Sequence, residues 1–284
     1  MLKSISIIIF SCLLLHSFAQ EQNPLSLADK YFGEGNYEMA FHEYNRELLF
    51  SSSNDDDGFY LKMADCKYMQ QHYYDAIQLY DNAIFLAEDS FNIARAYYGK
   101  VSSFILSGGY IVAKVELASI PLEIKKLYAP SFCYLEGICA IANNDYVQAK
   151  KFFIQAIPAD SVSLIAEVEH LFENQRSLMK PKPVVAKILS AIIPGSGQMY
   201  SGEYRNGINS FVLVGGLAVL TYYVASVYTI LDAALAVFPW LQRYYTSGIR
   251  NAGLIADKKR RNKKQILLNE ISTFVSQGSL IVAE

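Results

Sequence analysis

The segment YMQQHYYDAIQLYDNA, residues Tyr68 to Ala83, decides how the first half of the chain folds. Tyr73, Ala76, Tyr80 and Ala83 are three or four residues apart, which puts them on one face of a helix. The same alternation of bulky and small residues appears in YFGEGNYEMAFHEYNRE with Tyr37, Ala40 and Tyr44. It returns in FILSGGYIVAKVELASI with Tyr110, Ala113, Leu117 and Ile120, and in IANNDYVQAKKFFIQA with Tyr146, Ala149, Phe153 and Ala156. Ala40, Ala76, Ala113 and Ala149 recur at intervals of 36, 37 and 36 residues. A period of that length predicts an array of helix pairs. One pair alone leaves an apolar face open, so a continuous core needs each pair to stack on the next.

Turn residues fall where the period requires them: GEGN before Tyr37, SSSNDDDG from Ser51 to Gly58, LSGG before Tyr110 and NND before Tyr146. The segment SVSLIAEVEHLFENQ, Ser161 to Gln175, carries Leu164, Ile165, Val168, Leu171 and Phe172 on one stripe and is expected to cap the array.

These segments resemble the tetratricopeptide repeat, in which small residues lie where two helices cross and large ones fill the gap. Ala28, Ala64 and Gly137 fall on the small position of the first helix, and Tyr60 and Tyr97 on its aromatic position. The chain departs from the pattern at Val101, the small position of the third repeat, and at Glu47, the last alanine of the first. The resemblance implies a concave groove that binds a protein partner. In the first two repeats Phe32, Leu61, Asp65, Tyr68 and Met69 would line it, and in the last two Tyr98, Ile105, Tyr134 and Ile138. That lining lacks the Lys, Arg and Asn set with which related repeats clamp a C-terminal carboxylate. The ligand it implies is an extended or helical segment with apolar anchors. The alternative is a groove filled by the protein's own capping helix or by a second subunit.

The chain has 284 residues and a formal net charge of −2, which argues against a nucleic-acid partner held by charge. Hydrophobic residues make up 52% and charged ones 18%, and the apolar excess is concentrated in the first twenty residues and after Pro183. Residues 1–19 read as a secretory signal peptide: Lys3, an apolar run from Ile5 to Leu15, and Ser17-Phe18-Ala19 as a cleavage site. The alternative is a retained anchor helix. Cys12 lies inside the apolar run and fits a lipidation site poorly. Cys66, Cys133 and Cys139 show no metal-ligand spacing and read as packing residues. Neither a cofactor nor a metal is expected.

Pro181 and Pro183 mark a linker at 179–183, after repeats at 20–178 and before a membrane domain at 184–264 and a tail at 265–284. GINSFVLVGGLAVLTYYVASVYTI, Gly207 to Ile230, is uncharged and long enough to span a bilayer. KKRRNKK, Lys258 to Lys264, is expected on the cytoplasmic side by the charge rule. With the repeats exported, that predicts an odd number of crossings: one, or three if Val184 to Tyr200 also crosses. The favoured localisation is the inner membrane of a bacterial envelope, with the repeats on the exported side.

Pro194, Gly195, Gly197, Gln198, Tyr200 and Gly202 form a PGxGQxYxG pattern. With Tyr244-Tyr245, Gly248, Asn251 and Ala252 it resembles a family of small bacterial membrane domains, distantly like the two-transmembrane domain family. The resemblance covers residues 183–264 and implies a fold but no chemistry. Read physically, Pro194 ends a helix, and Gly195 and Gly197 permit left-handed angles or close contact. Gln198 can satisfy freed backbone groups, and Tyr200 can anchor at an interface. GSG lacks the Gly-Lys-Ser/Thr of a phosphate loop, Ser196 is not in GxSxG, and no histidine follows His170, so no catalytic residue is assigned. Asp232, the lone acid in the apolar stretch, belongs either to a connection between helices or to an ion path.

The expected fold class is therefore all-α: a tetratricopeptide-type solenoid followed by a transmembrane helical domain. The expected role is a membrane-anchored adaptor for a protein partner. A membrane-active role in transport or assembly of envelope components is the alternative.

Overall fold

The structure is a computed structural model that describes residues 26–50, 56–173 and 175–279. The expected signal peptide and Cys12 lie outside these residues. All regular secondary structure among the described residues is helical, consistent with the all-α expectation. The chain forms two compact units that part after Phe172 and again after Leu268. The first boundary precedes the expected linker at 179–183.

In the first unit, α1 (Leu27–Gly33) is followed by α2 (Tyr37–Phe50), and α3 (Asp56–Met69) by α4 (Tyr73–Leu86). Then come α5 (Ser90–Leu106) and α6 (Tyr110–Ser119), the short α7 (Leu122–Leu127), α8 (Ala129–Ala142) with α9 (Tyr146–Gln155), and α10 (Val162–Leu171). The helices of each pair pack together, and α3 touches α5 as α5 touches α8.

One turn geometry closes the first helix of all four pairs. Gly35, Gln71, Gly108 and Asn144 all have left-handed backbone angles, with φ of 78°, 64°, 86° and 62°. They repeat at the intervals of the alanines. In each turn this residue donates its N–H three residues back, and the next residue reaches five back. At α3 these bonds run from Gln71 to Tyr68 O at 3.0 Å and from His72 to Lys67 O at 2.9 Å; at α8 they run from Asn144 to Ile141 O at 3.0 Å and from Asp145 to Ala140 O at 2.9 Å. This is the Schellman closure, which satisfies carbonyls that a helix end would leave bare. Two residues after each left-handed position a tyrosine starts the second helix: Tyr37, Tyr73, Tyr110 and Tyr146.

The repeated apolar positions form the core. Ala28, Ala40, Ala64, Ala76, Ala113 and Ala149 are fully buried, and Tyr44, Tyr80, Leu117 and Phe153 are at most 2% exposed. Each of the four larger side chains contributes about 2 kcal/mol of apolar burial. The departure at Val101 is answered two residues earlier. A Cβ at Gly99 would lie 2.3 Å from the Tyr80 ring, so only glycine lets that ring lie against α5. Gly137 plays the same part under Phe153, where a Cβ would approach to 2.7 Å. On α10, Val168 is buried, and Phe172, just past its end, stacks on Phe153 with centroids 6.2 Å apart.

The second unit contains α11 (Gln175–Leu178), α12 (Pro183–Ile192), α13 (Ser196–Tyr200), α14 (Tyr204–Val227), α15 (Ile230–Asp232) and the start of α16 (Phe238–Ser279). A π-helical turn, Ala233–Val237, joins α15 to α16 and packs on α14. Pro239 has no N–H to donate to Leu235 O, and the wider turn sits where that bond is missing. The 24 residues of α14 extend about 36 Å. It is the one helix among the described residues long and apolar enough to cross a membrane, with a mean hydropathy of 1.8 and 6% of that window buried.

One expectation changes. Val184 to Tyr200 is not one span: α12 has ten residues, about 15 Å against a hydrocarbon layer of about 30 Å. Pro194 and Gly195 then break the chain before the five residues of α13. α16 runs on past residue 265, to Ser279.

Candidate functional site

Of the nine residues expected to line a groove, seven are buried: Leu61, Asp65, Tyr68, Tyr98, Ile105, Tyr134 and Ile138. Phe32 and Met69 are half-buried. Local packing accounts for much of this. Phe32 meets Tyr37 edge-on at 5.3 Å, and thirty-six residues later Tyr68 meets Tyr73 at 5.9 Å. Tyr98 packs on Phe132 at 6.3 Å, and Tyr134 on Phe153 at 5.8 Å.

The carboxylates form a repeated network. Tyr44 donates its hydroxyl to Asp29 Oδ1 at 2.6 Å, and Lys62 Nζ lies 2.9 Å from the same oxygen. In the next pair Tyr80 donates to Asp65 Oδ1 at 2.7 Å, and Arg95 Nη2 to Asp65 Oδ2 at 2.6 Å. Each acid thus binds the tyrosine of its own pair and a cation from the next first helix. Their environments diverge, however. Burial pushes the Asp29 carboxyl up, but Tyr44, Lys62 and Ser26 outweigh it and hold the carboxyl below its ordinary range. At Asp65, only 3% exposed, burial dominates and raises the carboxyl against Arg95 and Tyr80.

The PGSGQMYSG segment forms a compact joint. Gly195 is left-handed at φ 89°, and a Cβ there would lie 2.0 Å from Gly207 O, so α13 rests on the first turn of α14. A Cβ at Gly197 would meet Ala186 O at 1.9 Å, so α13 also rests on α12. Ser190 Oγ accepts from the Gly197 amide at 3.0 Å and donates to Gln198 Oε1 at 2.9 Å. Gln198 Nε2 donates to Gly248 O at 3.0 Å, and Tyr245 donates to Ala191 O at 2.6 Å. Gln198, at 2% exposure, therefore has both ends of its amide bound and ties α12 and α13 to α16. Pro194 is half-buried and follows an extended Ile193. Tyr200 is exposed and its hydroxyl accepts from the Lys182 amide at 3.3 Å. Gly202, at φ 78°, closes α13 with the same left-handed turn used in the repeats.

The start of α16 returns along α14. Ala233 and Val237 pack at the far end, and a Cβ at Gly248 would lie 3.0 Å from Ser210 Oγ near the other. Between the two helices lies a cavity of about 370 Å³, bordered on its polar side by Gln198, Asn206, Asn209, Ser210, Ser247 and Asn251 and on its apolar side by Leu213, Val214, Tyr244, Leu254 and Ile255. The lining is uncharged and mixed, with amides and hydroxyls facing aliphatic side chains. Asp232 is exposed at the turn between α14 and α16, where its Oδ2 accepts from Thr229 at 2.7 Å.

Sequence reasoning missed Gly99, Ser190 and Gly207. The signal for Gly99 was the Val101 departure itself, because a bulky residue at a crossing calls for a small one nearby. No matching family model, curated protein or solved structure is found for this chain.

Proposed function

We propose that this chain is a membrane-anchored adaptor of a bacterial cell envelope. A tetratricopeptide-type array holds a protein partner, and the unit built on PGSGQMYSG fixes it in the bilayer. The observation that supports the array is the return of one left-handed turn at Gly35, Gln71, Gly108 and Asn144, each followed by a second helix of the same register. The helix Tyr204–Val227 supports the anchor. The expected signal peptide directs the repeats to the exported side. Ser177 and Lys180 meet Lys263 in the second unit, so its incoming and outgoing chain share one end. This supports reading an even number of crossings, by α14 and a return leg, beside the odd number expected from charge.

Because most groove residues are buried, partner contact is assigned to the second helices. Tyr74, Ile111 and Val147 hold the second position of α4, α6 and α9 and are 73%, 75% and 53% exposed. A shallow cavity of about 470 Å³ at Gly108 to Val112 and Ala142 adjoins Ile111. In envelope crosslinking followed by capture, a Tyr74→Ser, Ile111→Ser, Val147→Ser variant is expected to lose a partner that the wild type retains. Equal recovery of every partner by both proteins would remove this face from the mechanism.

The cavity beside Gln198 favours a second reading, in which the membrane unit is the working part in transport or assembly. Asn209→Leu with insertion intact and function lost would select it.

A further inference from the structure

The second unit is unevenly charged. Residues 177–205 and 257–264 hold ten lysines and arginines against two carboxylates, whereas residues 206–242 hold no cation and only Asp232. Hydrogen bonds gather the cationic stretches at the Tyr204 end of α14. Lys263 Nζ donates to Ser177 O at 2.9 Å and to Lys180 O at 3.1 Å, and Lys259 Nζ to Ser201 O at 2.7 Å. Both carboxylates there are already engaged: Asp257 with Arg260 at 3.3 Å and Arg261 at 3.0 Å, and Glu203 with Asn206 at 3.2 Å. Lys182, Arg205 and Lys258 are exposed, and the Arg261 side chain is 68% exposed.

We infer that this end of the second unit is a binding face for the phosphate headgroups of anionic lipids, with Lys182, Arg205, Lys258 and Arg261 as its contact cations. The inference rests on the reading of α14 as a membrane helix. Arg205 is the second residue of that helix, so when α14 crosses a bilayer these cations lie at headgroup depth. All four are exposed and none of them lines either cavity described above, which matches a planar array of phosphates better than one enclosed soluble anion. Each cation near such a surface contributes about a fivefold preference.

The test uses the purified full chain in neutral detergent, titrated with phosphatidylglycerol, phosphatidylcholine or inorganic phosphate, with the melting midpoint as readout. Phosphatidylglycerol is expected to act at least tenfold more tightly than phosphatidylcholine. The preference is expected to disappear in Lys182→Gln, Arg205→Gln, Lys258→Gln, Arg261→Gln and, for the wild type, in 0.5 M salt, where exposed charges are screened. Equal response to the two lipids, a preference kept by the variant or in salt, or the same shift with inorganic phosphate would overturn the lipid face. Reconstitution in phosphatidylcholine vesicles followed by carbonate extraction separates the two readings. Release from those vesicles would overturn α14 as a membrane helix, whereas insertion without lipid preference overturns the face alone.

Discussion

Arg95 holds Asp65 by a 2.6 Å ion pair in a site where the Asp65 side chain is 4% exposed, whereas in the preceding repeat the corresponding pair, Lys62 with Asp29, is 42% and 29% exposed. Removing one partner of a buried pair strands a charge and costs about 3–5 kcal/mol, whereas an exposed pair is worth about 1 kcal/mol or less. Arg95→Met is therefore expected to lower the melting midpoint of the first unit strongly, and Lys62→Met hardly at all. Thermal circular dichroism of the two variants checks the contrast.

The same two acids predict opposite pH dependences. Asp29 sits below its ordinary value near 3.8, so its contribution to stability is present above that value and is lost as pH falls through the folded one. Asp65 sits above 3.8, so its contribution is full below that value and is lost as pH rises through the folded one. The stability difference between wild type and Asp29→Asn should shrink as pH falls below about 4. Asp65→Asn should gain on the wild type as pH rises from the same point. Melting curves from pH 3 to 7 measure both.

Gln71 adopts the left-handed turn that glycine adopts at positions 35 and 108. A side chain there costs about 1 kcal/mol that glycine avoids. Gln71→Gly is expected to stabilise the first unit by about 0.5–1 kcal/mol, and chemical denaturation reads the difference.

In the second unit a Cβ at Gly197 would strike the backbone of α12, whereas one at Gly215 meets nothing within 4 Å. Gly197→Ala should cost about 3 kcal/mol or more, and Gly215→Ala almost nothing. Resistance of residues 173–268 to trypsin separates the two outcomes.

Much of the fold was legible because packing at each crossing needs a small residue opposite a ring, and that need recurs at a fixed interval from Ala40 to Ala149. The left-handed turn at Gln71 was not legible, because glutamine is not a residue that favours it and only the closed hydrogen bonds select it. Burial of Tyr68 and Tyr134 was also hidden. Repeat register fixes which side of a helix a residue is on, not whether another ring covers it. At the joint of the second unit, Pro194 and the glycines announced a break. The reach of Gln198 to Gly248, fifty residues away, depends on the return of α16 and carries no local signal.

Gln198, Ser190 and Tyr245 fasten the joint of the second unit through neutral groups, and residues 206–242 carry one formal charge. In an energised bilayer an elementary charge moved through the full field gains or loses about 2.3 kcal/mol per 100 mV. A joint made of amides, hydroxyls and backbone has almost nothing for that field to pull. If α14 crosses such a layer as proposed, the fastening should therefore be indifferent to membrane potential and to proton gradients alike, a fixed footing in an electrically restless layer.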